Sequence, residues 1–321
     1  MLKRLVNECI MELAIQPDGP ILIKSGIETI AGPSMAFVQT YRNGRSQVYL
    51  PGSSIKGVLR SHAERIVRTF GEDKACSPLK DDGPNMSCGR RFDKRKKRFN
   101  EEPTPPEVYA ALCPICRLFG STWYAGRLAT ADAYAEGPVR LEQRDGVGID
   151  RFTGGAASGA KFDMEVVISG TFVTTLHVRN FELAQLGLIG FLLQDLKDGL
   201  VRMGMGKSKG LGKVTAQVRS VRVDYLGRGV AGPSDGLLSL RGVGDFLPDD
   251  TARQYGLARP DAVEVCFEGE WRAGLGSIRS SALFPGDSFP WREVAPSWVR
   301  YIEAYEVCAE MHPGRFQEPA R

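Results

Sequence analysis

The chain has 321 residues, of which 42% are hydrophobic and 25% charged, and its formal net charge is +4 at pH 7. This length supports two domains, or one domain with large insertions, and no uninterrupted run of about 18 apolar residues exists to span a bilayer. The charge is too small to indicate a nucleic-acid partner by itself, so the positions of the basic residues must decide that question.

The N-terminus and the cysteines predict a protein that stays in the cytoplasm and does not associate with membranes. An acidic residue, Glu8, precedes any long apolar stretch, and no small-residue cleavage site follows, so we do not expect a secretory signal. The seven cysteines should then be reduced thiols. Clustered cysteines are therefore better explained as metal ligands than as disulfides.

The first elements in chain order are a predicted strand over residues 8–15 and a predicted helix over residues 55–68. The helix has one apolar face and one strongly basic face. Its N-terminus follows small hydroxyl residues, where free N–H groups and the positive end of the helix dipole suit a phosphate. An ordinary N-cap with a solvated basic face would look the same. The candidate phosphate contacts are Ser53, Ser54, Lys56 and Arg60, with Arg65 extending the charge along the helix.

Residues 71–118 interrupt the regular pattern and predict an inserted module. The segment has little hydrophobic content, which is typical of a module that folds around a structural zinc ion. Of the four cysteines in the segment, only two form a standard C-x-x-C pair. Incidental cysteines without a metal, or His62 as a substitute ligand, are therefore alternatives. The candidate zinc ligands are Cys76, Cys88, Cys113 and Cys116. Cys9, Cys266 and Cys308 lie in apolar contexts and are predicted core residues, and the basic run over residues 90–98 is either an RNA contact or a solvated segment.

The next elements are a long β-hairpin, a core helix and a closing strand. Strand-like segments on either side of a glycine-rich turn predict the hairpin between residues 145 and 180. Asn180 is a candidate N-cap for an apolar helix that reaches Gly199, and residues 212–219 predict the closing strand. Strand, helix, strands, helix, strand is the order of a ferredoxin-like or RNA-recognition fold, an α+β fold whose antiparallel sheet carries two helices on one face.

A loop with four glycines and three lysines lies between that helix and the closing strand. The sequence Met203-Gly204-Met205-Gly206-Lys207-Ser208-Lys209-Gly210-Leu211-Gly212-Lys213 lacks the glycine spacing of a Walker phosphate loop and follows a helix instead of a strand. Glycines let a backbone approach phosphates, and lysines neutralise them. The loop therefore predicts contact with an RNA backbone, although a flexible connector is the simpler alternative. Its candidate contacts are Gly204, Gly206, Lys207, Ser208, Lys209 and Gly210.

Two separated motifs together resemble the paired signature of the CRISPR-associated RAMP superfamily. They are Pro51-Gly52-Ser53-Ser54-Ile55-Lys56-Gly57 and the downstream glycine-rich loop. Between them, Cys113-Pro114-Ile115-Cys116-Arg117-Leu118-Phe119-Gly120 resembles a segment of type III backbone subunits, the Cas-seven family, and Asp150-Arg151-Phe152-Thr153-Gly154-Gly155-Ala156 resembles the base of their thumb hairpin. The resemblance covers roughly residues 8–220.

The resemblance implies a subunit that binds crRNA, the guide RNA, and stacks with further copies of itself along it. Residues 1–226 would form the palm, with the zinc-binding insertion and a thumb hairpin that wedges into the guide–target duplex, and residues 227–321 a C-terminal extension of unknown role. The implied thumb contacts are Arg151, Phe152 and Met164, although packing within the hairpin would explain Phe152 and Met164 equally well. The implied partners are the crRNA, target RNA and other Cas subunits, including a possible separate nuclease, and zinc is implied as a structural cofactor.

Target-cleaving relatives place a catalytic aspartate in the loop before the Pro-Gly-Ser-Ser motif. Here residues 32–40 contain no acid, and Ser34 or a neighbour stands at that position. We therefore expect a non-cleaving scaffold without catalytic residues. Two alternatives stay open: a target-RNA or guide-processing ribonuclease, for which the only histidines are His62, His177 and His312, and a zinc-stabilised interaction protein that binds no RNA.

Overall fold

A computed structural model describes residues 4–26, 32–83, 85–227, 230–274, 276 and 278–306. It confirms a mixture of helices with a predominantly antiparallel sheet. The strands are β1 (Asn7–Pro17), β2 (Gln39–Arg42), β3 (Arg45–Leu50), β4 (Leu128–Thr130), β5 (Ala133–Ala135), β6 (Arg140–Ile149), β7 (Ala156–Ser169), β8 (Phe172–Arg179), β9 (Val214–Leu226), β10 (Leu237–Arg241), β11 (Ala262–Cys266), β12 (Glu270–Ala273) and β13 (Arg279–Pro285). The helices are α1 (Gly52–Arg68), α2 (Cys88–Phe99), α3 (Pro105–Ala111), α4 (Pro114–Phe119), α5 (Leu183–Lys197), α6 (Asp249–Gln254) and α7 (Trp291–Ala304).

The main sheet has the strand order β12-β13-β9-β1-β8-β5-β3-β2, and β4 also pairs with β8. Its central strand β1 is antiparallel to both β8 and β9. Alternate side chains of β1, at Cys9, Met11, Leu13 and Ile15, are fully buried, as period-two alternation requires of a strand with one core face. The predicted first and closing strands are confirmed.

Helices α1, α5 and α7 each bury side chains in the core. The helices predicted over residues 55–68 and from residue 180 to Gly199 correspond to α1 and α5. Helix α5 packs on α7, where the tryptophans of α7 lie so close to Gly187 and Gly190 that a Cβ at either glycine would collide with them. Asn180 does not cap α5, contrary to the prediction. Glu182 does so in a capping box with Gln185, while Asn180 accepts a hydrogen bond from the Val6 amide and thereby ties the helix entrance to β1.

The predicted hairpin exists, but its boundaries differ from residues 145–180. Strands β6 and β7 pair over Arg140–Ile149 and Ala156–Ser169. The third strand-like segment, β8, pairs instead with β1 in the main sheet. The amino-acid pattern could not distinguish them, because β8 alternates apolar and polar residues as a hairpin strand also would.

The C-terminal segment packs against the rest of the chain. Its strands β12 and β13 extend the main sheet beyond β9, while β10 and β11 form a two-stranded sheet of their own. The sequence pattern of this segment suggests a strand over residues 262–268 and a helix over residues 297–312. The strand exists as β11, and the helix, α7, begins earlier, at Trp291. Residues 307–312, with Cys308 and His312, lie outside the described residues. None of the helices described here is long and apolar enough to cross a membrane.

The predicted burial of the remaining cysteines is half correct. Cys9 is fully buried on β1, whereas Cys266 is exposed at the end of β11. Glu264 and Cys266 lie on the same face of this short strand, and both are exposed to solvent. The apolar neighbours that suggested burial, such as Val265, face inward on the opposite side of the strand.

Candidate nucleic-acid interface and metal centre

The glycine-rich loop between α5 and β9 is anchored to the segment that follows β1. The Met205 amide donates to the Leu22 carbonyl at 2.7 Å, and the Gly212 amide donates to the Pro20 carbonyl at 2.8 Å. A Cβ on Gly204 would lie 2.2 Å from the Leu22 oxygen, and the φ of Gly204 is +79°. This glycine therefore serves the packing of the loop itself. Gly210, with φ +84° and no atom within 4 Å of its Cβ position, lies in open space.

The polar tip of the loop faces solvent. Lys207, Ser208 and Lys209 are all exposed and form a single 3₁₀ turn. Among the described residues no carboxylate pairs with Lys207 or Lys209, while the third lysine, Lys213, pairs with Asp18 at 2.5 Å. Two of the three lysines thus remain available to neutralise an anion.

The loop meets helix α1 across a small cavity of about 210 Å³. The α1 side contributes Val58, Ser61, His62 and Arg65, and the α5–β9 connection contributes Leu200, Val201, Arg202 and Lys207. Ser54, Val58, Ser61 and Arg65 follow the i, i+4, i+7, i+11 spacing of one helix face. The face of α1 that carries Ser54 therefore also carries, one to three turns further along the helix, the residues that line the cavity beside the glycine-rich loop.

The cavity is strongly cationic. Arg65, Arg202 and Lys207 converge on it, and partial burial, followed by the charge of Arg65, lowers the pKa of Lys207. In the part of the chain that the structure describes, no carboxylate forms an ion pair with any of the three. Arg202 also donates to the Lys207 carbonyl at 3.0 Å and so fixes the loop. Three like charges around 210 Å³ favour a bound anion such as a phosphate group.

His62 stands at the edge of the same cavity. Its Nε2 lies 2.6 Å from Asp195 Oδ2 on α5, which ties the two helices together. His62 is therefore engaged with a carboxylate and is absent from the group of potential metal ligands, so the alternative that it replaces a cysteine is not supported. The residues that line the cavity could not be identified from a sequence motif, because Ser61, Arg65 and Arg202 belong to no recognisable signature.

The N-terminus of α1 differs from the predicted phosphate site. The Gly52 amide donates to Asp132 Oδ1 at 2.7 Å, so one of the free N–H groups already has a carboxylate partner from the β4–β5 connection. Ser53 is exposed and Ser54 is partly exposed. Both hydroxyl residues stay accessible, but an anion here would meet the charge of Asp132.

Lys56 and Arg60 face other parts of the protein. Lys56 Nζ donates to the Leu128 carbonyl at 2.9 Å, and burial, followed by Arg60, lowers its pKa. Arg60 donates to Glu64 at 3.0 Å and to the Gly120 carbonyl at 3.0 Å. Both side chains support the packing of α1 on its neighbours, and their contact with RNA stays a prediction.

The hairpin of β6 and β7 places Arg151 and Phe152 at its tip and Met164 near its middle. Residues 150–155 form the turn at the tip, and not the base as the resemblance implied: Asp150 Oδ1 accepts from the Phe152 amide at 2.7 Å, and the Gly154 amide closes on the Asp150 carbonyl. Phe152 is 97% exposed, so it does not pack within the hairpin. Arg151 is exposed beside it.

The middle of the hairpin lies next to the glycine-rich loop. Met164 is partly buried against the core and pairs with Met35 through a backbone bridge. The ammonium group of Lys209 lies 5.9 Å from the centre of the Phe162 ring on β7, a distance at which a cation and an aromatic face attract. The loop therefore contacts the hairpin at Phe162.

Ser34 lies against an acid that sequence spacing did not reveal. Its amide donates to Asp163 Oδ1 at 2.9 Å, and its hydroxyl donates to the Asp163 carbonyl at 2.8 Å. These hydrogen bonds from Ser34 lower the pKa of the Asp163 carboxyl, which keeps it ionised. The nearest acids before this loop in the sequence are Asp18, which pairs with Lys213, and Glu28, which lies outside the described residues.

The four predicted zinc ligands form one buried cluster. The sulfurs of Cys76, Cys88, Cys113 and Cys116 all lie within 4.8 Å of one another, and the Cys76–Cys116 and Cys76–Cys113 pairs are 3.5 and 3.7 Å apart. Tetrahedral zinc with bonds of about 2.3 Å needs sulfurs about 3.8 Å apart. Hydrogen bonding from Cys116, Cys76 and Cys88 lowers the pKa of Cys113, which favours a thiolate. The cluster is compatible with zinc.

Comparison with known protein families supports the resemblance. A family model described as the RAMP superfamily matches residues 15–215, which is more than half of the chain. The match includes both glycine-and-serine motifs, the four cysteines and the β6–β7 hairpin. No curated protein shows significant similarity to the chain.

Proposed function

This chain belongs to the RAMP superfamily, and we propose on that basis that it is a crRNA-binding backbone subunit of a CRISPR effector complex. In this proposal copies assemble along the guide and position the target RNA together with other Cas subunits. The observation that carries the proposal is the cavity where Arg65, Arg202 and Lys207 meet beside the exposed turn of the glycine-rich loop. Sequence-independent binding of a guide needs contacts of this kind to the phosphate backbone.

The fold supports the same assignment. The spatial strand order β9-β1-β8-β4, with α1 between β1 and β4 in the sequence and α5 between β8 and β9, supports a ferredoxin-like palm. On this reading residues 1–226 are the palm and residues 227–321 an extension that completes its sheet. The β6–β7 hairpin is the thumb, with Arg151 and Phe152 at its tip as the wedge. Zinc held by the four cysteines is the structural cofactor of the insertion over residues 71–118.

Coexpression with a repeat–spacer transcript tests the proposal. We expect the protein to purify as a filament that retains RNA, with an absorbance ratio at 260 and 280 nm well above that of protein alone. Retention should fall steeply with salt, because phosphate contacts release counterions. Protein that elutes as a monomer free of nucleic acid under these conditions would favour a zinc-stabilised interaction protein instead.

We also propose that this subunit does not cut the target. In the assembled complex we expect a complementary target RNA to stay intact, since Ser34 cannot act as the acid of the cleaving relatives. Asp163 beside Ser34 is the one observation that favours the endoribonuclease alternative. Asp163→Asn and Ser34→Ala distinguish the two: regularly spaced cuts that disappear in Asp163→Asn and persist in Ser34→Ala would establish cleavage by this subunit.

A further inference from the structure

The β2–β3 hairpin and the neighbouring strand β5 carry a cluster of aromatic and basic side chains that belongs to none of the predicted sites. Tyr49 on β3 pairs directly with Tyr134 on β5, and their ring centres lie 6.0 Å apart with an angle of 18° between the planes. The Arg42 guanidinium of β2 lies 3.8 Å from the centre of the Tyr134 ring. A planar cation is therefore held against a pair of nearly parallel rings.

The cluster lies on the face of the main sheet that is opposite the buried side chains of β1. Directly paired residues of antiparallel strands share one face, and the register aligns Tyr49, Tyr134, Val173 and Ala14 in one row. Leu13, the neighbour of Ala14 along β1, is fully buried on the other face. Both tyrosines are partly exposed, and neither is among the described residues that pack against the hydrophobic core. Burial in the core therefore does not explain the two rings.

The hairpin also places two arginines opposite each other. Arg42 and Arg45 are cross-strand partners on either side of Asn43 and Gly44, whose φ values of +52° and +76° are typical of a tight two-residue turn. Both arginines are exposed, and within the described part of the chain no carboxylate forms an ion pair with either. Like charges directly opposite each other destabilise a sheet. An anion bound beside the pair would relieve this repulsion.

The sequence around the hairpin favours a polyanion as the ligand. Residues 29–63 contain four basic residues and no aspartate or glutamate. Asp132, beside the cluster, accepts hydrogen bonds from the Tyr134 hydroxyl at 3.4 Å and from the Gly52 amide at 2.7 Å. This carboxylate therefore ties the cluster to the N-terminus of α1, where Ser53 is exposed.

We propose that the cluster binds one nucleotide of single-stranded RNA, with the base stacked on the Arg42 guanidinium that Tyr134 supports and the phosphate beside Arg45. Unpaired bases are bound in proteins by stacking on aromatic rings or guanidinium planes. Aromatic stacking combined with basic side chains is typical of surfaces that bind single strands. The inference rests on the proposed function, which brings guide and target RNA to the chain, but it concerns a surface outside the cationic cavity.

Photo-crosslinking of the RNA-bound protein tests the assignment. Trypsin cuts after Arg127 and Arg140, so residues 128–140 form one peptide that carries Tyr134 and none of the predicted RNA contacts. With 4-thiouridine in the guide in one arm and in a complementary target in the other, we expect crosslinks on this peptide, and the arm that gives them identifies the strand. Wild-type protein that retains its guide but gives no crosslink there in either arm would overturn the inference and leave the proposed function intact. Wild-type protein that retains no RNA would remove both.

Two substitutions with matched controls measure the contribution of the cluster. Arg45→Glu should reduce the crosslink and lower the slope of log K against log salt for that strand by about 0.7, whereas Arg272→Glu on β12, at the other edge of the sheet, should change neither. Tyr134→Leu should weaken binding about tenfold, the effect of losing one stacked base. Tyr41→Leu is its control, because Tyr41 is 76% exposed on the opposite face of the same hairpin. Weaker binding in Tyr41→Leu but not in Tyr134→Leu would contradict the assigned face.

A neighbouring copy of the chain is the alternative occupant of this surface. Size-exclusion chromatography of the RNA-bound filament distinguishes it, since loss of a contact between copies shortens the filament. We expect Arg45→Glu and Tyr134→Leu to leave the filament length unchanged on a guide at saturating protein. Shorter filaments in both variants, together with no crosslink on residues 128–140 of the wild type, would assign the surface to a second copy and overturn the inference.

Discussion

Reversing the three charges of the small cavity, with Arg65→Glu, Arg202→Glu and Lys207→Glu in one variant, should abolish retention of guide RNA. Each neutralised phosphate of a single strand contributes about 0.7 to the slope of log K against log salt. Losing three such contacts should lower that slope by about 2 and weaken binding by far more than tenfold. The loss should be equal for guides of different sequence, since phosphate contacts carry no sequence information.

The matched control changes three exposed arginines of the C-terminal segment, Arg253, Arg292 and Arg300, to glutamate. This variant has the same net charge but leaves the cavity intact, so it should keep its RNA. Arg202 also fixes the loop through the Lys207 carbonyl, and the triple variant could therefore disturb the fold. Arg65→Glu alone leaves those bonds in place. Unchanged RNA retention in Arg65→Glu, measured by filter binding across a salt series, would contradict the assignment of this cavity.

The sequence predicted the residue types of this site better than their arrangement in space. The loop of residues 203–213 and the motif before α1 stand out because glycine, serine and lysine cluster in them. A motif could not reveal which basic side chains would face the same cavity. Lys56 belongs to the motif and Arg60 follows it, and both bond to backbone carbonyls of the protein itself. Arg65 and Arg202 belong to no motif and face the cavity. Their roles follow from tertiary packing, which brings α1 beside the end of α5.

Contacts between distant residues explain the other differences. The Gly52 amide meets Asp132, 80 positions away, and Ser34 meets Asp163, 129 positions away. Neither pair could be read from local composition. Strand β8 was assigned to the hairpin because alternation shows that a segment is a strand but not which strand it pairs with. The cysteine cluster was predictable because the ligand type itself restricts the fold.

The cysteine cluster is also coupled to the C-terminal helix through a buried network. Arg117, one residue after the candidate ligand Cys116, donates to the Ala110 carbonyl at 2.7 Å and to the Gly256 carbonyl at 3.1 Å. Its guanidinium lies 4.9 Å from the ring centre of Tyr109 and 6.0 Å from that of Tyr301 on α7. Lys74, two residues before the candidate ligand Cys76, donates to the Ile302 carbonyl of α7 at 2.5 Å. Disorder in the cysteine module should therefore spread to α7.

Cys113→Ser should consequently unfold more than the metal site. Structural zinc contributes about 10–16 kcal/mol in zinc-finger peptides, which matches the entire stability of about 5–15 kcal/mol of a typical domain. We expect loss of zinc by elemental analysis and loss of amide-exchange protection in α2, α3 and α4 and also in α7. The β1–β8–β9 sheet should stay protected longer, because its core is formed by β1 and its neighbours without the module.

Cys266→Ser is the control for this experiment, since Cys266 is exposed and lies outside the cluster. It should keep both its zinc and the protection of α7. If Cys113→Ser proves too unstable to purify, the wild type treated with a chelator supplies the same comparison. Amide exchange could instead increase in α2, α3 and α4 while α7 stays protected. That result would show that the Arg117 network does not couple the loss of zinc to α7, and that α7 is held by its packing on α5 alone.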